Sequence, residues 1–195
     1  MRKILAHAFV SVDGVMQAPG GASEDESGGF DLGGWSMSYA SEKSRAAVMA
    51  MVGTPAEPRD LLLGRRTYDI FASHWPKAPA DHPIGAAFNP AHKYVMTRGT
   101  GVLGWANSHA VGSIEALAQL KAGTGPDLVL WGSSTLYPQL FEARLIDRLQ
   151  LLTLPLVLGK GKRLLERTAH PASMTLLSCD ATPTGVVIAV YDLAG

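Results

Sequence analysis

The stretch Asp127-Leu-Val-Leu-Trp-Gly-Ser-Ser-Thr-Leu-Tyr-Pro-Gln-Leu-Phe141 decides how the rest of the chain is read. Leu128 to Trp131 is a short apolar run, the pattern of a buried strand. Gly132 interrupts it, and Ser133, Ser134 and Thr135 offer N-cap chemistry to a helix carrying Leu136, Leu140 and Phe141 on one face. Strand, glycine turn and helix start, in that order, form a candidate anion site. The first amides of a helix lack internal partners and carry partial positive charge. Gly132 would let a phosphate approach the backbone with no side chain in the way. An ordinary β-turn-α connection accounts for the same residues, so the surrounding sequence has to decide.

Outward from this unit, strands and helices alternate, as in a single α/β domain spanning residues 1–195. Residues 3–11 are apolar on both faces, like a central strand. Residues 13–34 hold seven glycines and the acidic run Glu24-Asp25-Glu26, which reads as a functional loop, mobile without ligand. Ala40, Ser44, Ala47, Val48 and Met51 recur at helical spacing, and Gly53 and Pro55 end that helix. Residues 60–63 and 93–97 read as strands. Four prolines from Pro76 to Pro90 mark a second long loop. A helix over 114–122 is bracketed by Ser113 and Gly123. Residues 149–158 read as a long strand, and 174–180 with 186–192 as a terminal hairpin around Thr182-Pro-Thr-Gly185.

Composition excludes several classes of function. Lys plus Arg and Asp plus Glu both number 17, so the chain lacks the basic footprint of a nucleic-acid binder. No apolar run approaches the roughly 20 residues of a membrane span, and no signal peptide is recognisable, so a cytoplasmic location is expected. Cys179 is the one cysteine, and the six histidines form no H-x-H or H-E-x-x-H pair; no metal site is expected.

Gly99-Thr-Gly-Val-Leu-Gly104 matches the dinucleotide pattern G-x-G-x-x-G, but the residues after it do not open a helix. Gly159-Lys-Gly-Lys-Arg163 lacks Walker spacing and reads as a solvated turn. Neither serine of the 132–136 turn sits in G-x-S-x-G. What remains is a set of strand ends suited to a phosphorylated ligand: Gly64-Arg65-Arg66-Thr67, Thr97-Arg98-Gly99 and Gly132 to Leu136. Arginine makes bidentate bonds to phosphate oxygens, and open α/β sheets bind ligands at their strand C-termini.

Further segments join these: Ser11-Val-Asp-Gly14, Leu63-Gly-Arg-Arg-Thr-Tyr68, Tyr94-Val-Met-Thr-Arg98, Leu145-Ile-Asp-Arg-Leu149 and Leu154-Pro-Leu-Val-Leu-Gly159. In order and spacing they resemble the dihydrofolate reductase superfamily. The resemblance is closer to the reductase domain of the bifunctional riboflavin-biosynthesis deaminase/reductase and its stand-alone relatives. It covers nearly the whole chain and implies a three-layer α/β fold. Its sheet would be mixed and mainly parallel, with a C-terminal antiparallel hairpin and NADPH across the strand ends.

The resemblance also implies roles. Gly64, Arg65, Arg66 and Thr67 would hold the 2′-phosphate and pyrophosphate, Thr97 and Arg98 the adenosine side, and Gly132, Ser133, Ser134, Thr135 and Leu136 the pyrophosphate. Asp13, Val15 and Met16 would begin a loop over nicotinamide and substrate, with Asp13 the catalytic candidate. Trp35 and Glu42 would join Asp13 on a small-molecule substrate. The closest named activity is reduction of 5-amino-6-(5-phosphoribosylamino)uracil. The alternatives are a dihydrofolate or other pteridine reductase and a non-catalytic ligand-binding protein on the same fold. The chain departs from the family in three places. Ala40 falls where dihydrofolate reductases carry their pteridine carboxylate. Trp131 stands where the riboflavin enzyme has an acid, and Ser133 replaces its second glycine. The H-x-E and P-C-x-x-C signatures of the deaminase are missing. Apolar residues on both faces of 149–158 and in 186–191 predict a homodimer through the C-terminal strands.

Overall fold

A computed structural model describes residues 1–166 and 171–193. Its eight strands form one sheet: β1 Ile4–Ser11, β2 Arg59–Gly64, β3 Lys93–Met96, β4 Ser108–Val111, β5 Asp127–Trp131, β6 Arg148–Leu154, β7 Thr175–Ala181 and β8 Val187–Asp192. The spatial order is β4-β3-β2-β5-β1-β6-β8-β7. Pairing is parallel from β4 through β6, then antiparallel for β6–β8 and β8–β7. This is the mixed, mainly parallel sheet with a terminal hairpin that the resemblance implies.

The period-2 alternation of β1 sends its two rows of side chains to two cores. Ile4, Ala6, Ala8 and Val10 meet Leu117 of α4 (Ile114–Ala122) and Tyr137 and Leu140 of α5 (Tyr137–Glu142). On the opposite face, Leu5 joins Met51 and Val52 of α1 (Glu42–Val52), Tyr68 of α2 (Arg65–His74) and Phe88 of α3 (Pro83–Phe88). A third cluster ties Leu152 and Leu154 to Val15, Phe30, Trp35 and Ile188. Helices on both faces of the sheet give three layers.

Several boundaries differ from expectation for local reasons. The strand expected over 149–158 stops at Leu154, because Pro155 has no N–H to continue the ladder. α1 starts at Glu42 because the Ser41 side chain accepts from the Ser44 amide while the Ser44 hydroxyl accepts from the Ser41 amide. The proline-rich loop contains α3, entered through Pro83. Residues 13–34 form an excursion braced by its own side chains. The Gln17 side chain donates to the carbonyls of Asp25 and Ser27, the Trp35 indole donates to the Gln17 carbonyl at 2.7 Å, and Glu24 accepts from the amides of Gly20 and Gly21.

Candidate functional site

The parallel strands β2, β5 and β1 place three turns side by side at their C-terminal ends. Leu62 pairs with Leu130 and His7 with Trp131, so β2 and β5 end level at Gly64 and Gly132 while β1 runs on to Ser11. The two short strands are tied together at that point. The Ser133 hydroxyl accepts from the Gly64 amide at 2.8 Å and donates to the Trp131 carbonyl at 2.8 Å, and the Ser133 amide donates to the Thr67 hydroxyl at 3.0 Å. Gly132 and Ser133 both have positive φ, 52° and 61°.

This geometry changes what two of the expected residues do. The serines and threonine do not cap α5; its N-cap is Leu136, with no side-chain bond. Ser133 instead locks two turns in register. A Cβ on Gly132 would lie 3.0 Å from the Thr67 hydroxyl, so the glycine is required by the protein's own packing as well as by its backbone. Leu136 is buried in the core beneath the turn. Among the described residues, the amides of Ser134 and Thr135 donate to no acceptor, and the N-terminus of α2 has no side-chain cap. The turns therefore present a concentrated set of uncommitted N–H donors.

The cations around these turns differ in availability. The Arg65 guanidinium forms an i,i+4 pair with Asp69 at 3.0 Å and donates to the Gly101 carbonyl. Arg66 pairs with Asp25 at 2.7 Å. Arg98 is exposed and has no hydrogen bond or ion pair among the described residues, while the Thr97 hydroxyl accepts from the Gly99 amide. The glycine-rich segment 99–104 contains no helix, in keeping with the failed dinucleotide pattern.

The residues expected near a substrate have largely structural tasks. Asp13 accepts from the Ser11 hydroxyl at 2.6 Å and from the amides of Leu158 and Gly159 at 3.0 and 2.9 Å. The Ser11 hydroxyl and the two amides hold its carboxyl down at about 2. Its three accepted hydrogen bonds clamp the turn after β1 to the segment after β6, and it has no proton to give at neutral pH. Val15 and Met16 are buried, so their side chains serve the core. Trp35 is also buried and spends its indole N–H within the loop. Glu42 is exposed in the first turn of α1, where its charge suits the helix dipole.

Three features escaped the sequence reading. Lys162 and Arg163, read as part of a solvated turn, brace the first loop: Lys162 binds Asp25 and Ser27, and Arg163 donates to the Asp13 carbonyl. The third feature is His7. It is buried between Phe9 and Trp131, its Nδ1 lies 2.9 Å from the Gln150 side-chain oxygen, and its Nε2 has no partner. Burial pushes its pKa down to about 4 despite the Gln150 bond, so the imidazole is neutral near pH 7.

The family model of the RibD C-terminal domain matches residues 2–188. The chain belongs to the RibD C-terminal domain family. Within curated proteins, it is 25% identical over 142 residues to the uncharacterized protein YyaP of Bacillus subtilis (strain 168), covering 69% of this chain and 74% of that one. Among solved structures, a putative riboflavin biosynthesis protein from Shewanella sp. PV-4 superposes with a TM-score of 0.74 at 18% identity, covering 99% of both chains. A pyrimidine reductase-like protein from Corynebacterium diphtheriae has a TM-score of 0.63 at 13% identity, covering 100% of this chain and 92% of its own. At these identities the two structures establish the fold. For a RibD C-terminal domain, an oxidoreductase acting on a small molecule is the class of activity the family carries. No helix among the described residues is long and apolar enough to cross a membrane.

Proposed function

We propose that the protein is an NADPH-dependent reductase of a small heterocyclic substrate, with 5-amino-6-(5-phosphoribosylamino)uracil as the closest named candidate. The observation that carries this reading is the coupled turn pair. Ser133 holds Gly64-Arg-Arg-Thr67 against Gly132-Ser-Ser-Thr135, which concentrates uncommitted amides and two arginines at the strand ends, with Arg98 after the neighbouring β3. Such a donor set fits a dinucleotide's phosphates, which need N–H donors and cations in a fixed arrangement.

In this reading the amides of Ser134 and Thr135 and the first amides of α2 hold the pyrophosphate. Arg98, which has no hydrogen bond or ion pair among the described residues, selects the 2′-phosphate alongside Arg65. NADPH, when bound, supplies the hydride. The protein's own contribution is orientation and exclusion of water, because hydride transfer needs little covalent help from side chains. Asp13 acts by fixing the turn after β1, so a proton for the product comes from another group or from water.

The test is direct. Fluorescence titration should show saturable NADPH binding. The candidate uracil should then drive NADPH oxidation in proportion to enzyme concentration. Failure to bind NADPH at millimolar concentration would overturn the cofactor assignment. Binding without oxidation by this substrate would remove the uracil and leave the cofactor.

A further inference from the structure

The loop between β1 and α1 carries a carboxylate that already occupies one cation of the proposed phosphate-binding turns, Arg66. Asp25 Oδ1 is 2.7 Å from Arg66 on α2, and Asp25 Oδ2 is 2.7 Å from Lys162, which follows β6. The amide and hydroxyl of Ser27 also donate to Oδ1, at 3.1 and 2.6 Å. The Asp25 side chain is only 12% exposed, although it stands in a glycine-rich loop.

Strand order gives these contacts their meaning. β2 and β6 lie on opposite sides of β5 and β1 in the sheet. A residue bonded both to the helix after β2 and to the segment after β6 therefore spans the C-terminal ends of β5 and β1. Those ends are where the turn Gly132 to Leu136 and the turn after Ser11 are found. The strap is fixed on the β6 side by the Gln17 side chain, which accepts from the Lys162 amide and donates to the carbonyls of Asp25 and Ser27. On the β2 side, Arg66 is the single charged contact among the described residues.

We infer that Asp25 is an internal pseudo-ligand: its carboxylate stands in for a phosphate at Arg66 and holds the 18–31 strap across the cofactor cleft until an incoming phosphate displaces it. The inference rests on the cofactor reading above and adds a cost to binding, since Arg66 must exchange one anion for another. Lys162 keeps its hold on the strap, so release is a hinge on the β6 side and not a general loosening. Arg66 is 59% exposed and Lys162 36%, so the Arg66 contact is the weaker and more exchangeable of the two.

Asp25→Asn tests this: with Oδ1 kept as the amide oxygen the bonds from Ser27 survive, the charge facing Arg66 is removed, and the new NH2 displaces Lys162 from Oδ2 while Lys162 keeps its contacts with the Ser27 hydroxyl and the Gln17 side chain. Glu26→Gln is the control. Glu26 is exposed and unpaired among the described residues, so it removes equal charge from the same loop without touching the latch. Two readouts are used on the 195-residue chain: amide hydrogen exchange of residues 18–31 without ligand, and the NADPH dissociation constant by fluorescence. The expected result is faster exchange and roughly three- to tenfold tighter NADPH binding in Asp25→Asn only. Unchanged exchange, or NADPH binding that is equal to or weaker than wild type, overturns the latch while leaving the cofactor reading intact. An equal gain in Glu26→Gln assigns the effect to loop charge in general and also overturns it. If neither wild type nor Asp25→Asn binds NADPH, the cofactor reading and the autoinhibition fall together. Exchange alone then reports whether Asp25 braces the loop.

Discussion

The hydroxyl of Ser133 accepts the backbone amide of Gly64, joining two strand ends that are 69 residues apart in sequence. It does so from a backbone with φ of 61°, a region a non-glycine residue occupies at a cost. The position where the family pattern has a second glycine thus keeps the glycine-like conformation and adds a cross-link between turns.

Two substitutions separate these effects. Ser133→Ala keeps the strained backbone and leaves the Gly64 amide without its acceptor, so it should destabilise the protein by about 1–3 kcal/mol. Ser133→Gly loses the same bond but relieves the backbone, and should unfold at a higher urea concentration than Ser133→Ala. Equal stability of the two would mean that the positive φ carries no strain here. Both should weaken NADPH binding, because the two turns lose their common register.

Cofactor preference depends on which arginine is available. Arg98 has no internal partner among the described residues, whereas Arg65 is shared with Asp69 and the Gly101 carbonyl. A charge-assisted bond to the 2′-phosphate contributes roughly 1.5–3 kcal/mol, so NADPH should bind about ten- to a hundredfold tighter than NADH. Arg98→Gln should erase most of that difference while leaving NADH affinity unchanged. Calorimetry giving equal affinity for both cofactors in the wild type would remove the 2′-phosphate role from both arginines.

Much of this architecture was legible because its signals are local. Ser113 and Gly123 bracket α4 within the residues expected, and the glycine turns announce themselves by composition. β4 escaped because an edge strand of four residues, with His109 and Ala110 exposed, has no apolar run. The roles of Asp13, Trp35 and Lys162 escaped for another reason. Each makes its defining contacts through tertiary geometry, Asp13 with residues 145 and 146 positions away and Lys162 with a residue 137 positions away. Residue type advertised chemistry at Asp13, and only the fold shows that its carboxylate is already held by three donors.

Acid should destabilise the fold in two separate windows. His7 is held neutral, its pKa lowered from 6.5 to about 4, so the unfolded chain takes up a proton that the folded one refuses. Stability should therefore fall as pH drops from 6.5 toward 4, by about 3 kcal/mol in total at 1.36 kcal/mol per pKa unit. Asp13 acts lower. Its pKa drops from 3.8 to about 2, so its contribution is complete above 3.8 and lost as pH falls through 2. Urea unfolding across pH should show the upper slope vanish in His7→Leu and persist in Asp13→Asn. An upper slope that survives in His7→Leu would assign it to another group.

The C-terminal strands supply the last prediction, in a form altered by the structure. β6 needs no partner subunit, because Leu149 packs into the core with α4 and α5, and Leu152 and Leu154 pack against Val15, Phe30 and Trp35. The uncovered element is β7, whose seven residues are all exposed, with Leu176 at 53% and Leu177 at 48%. A register shift between Leu176 and Ser178 makes Leu177 the extra residue of a bulge, which spoils the outer edge as a template for extending the sheet. A second copy is therefore expected to cover the face of the hairpin instead of continuing its ladder. Sedimentation equilibrium at micromolar concentration should give about twice the 20.6 kDa chain mass. Leu176→Lys with Leu177→Lys should return the protein to monomers that remain folded, since neither side chain belongs to a core cluster. A wild-type mass of one chain across that range would rule the dimer out. A dimer that survives both substitutions would place the contact on another surface.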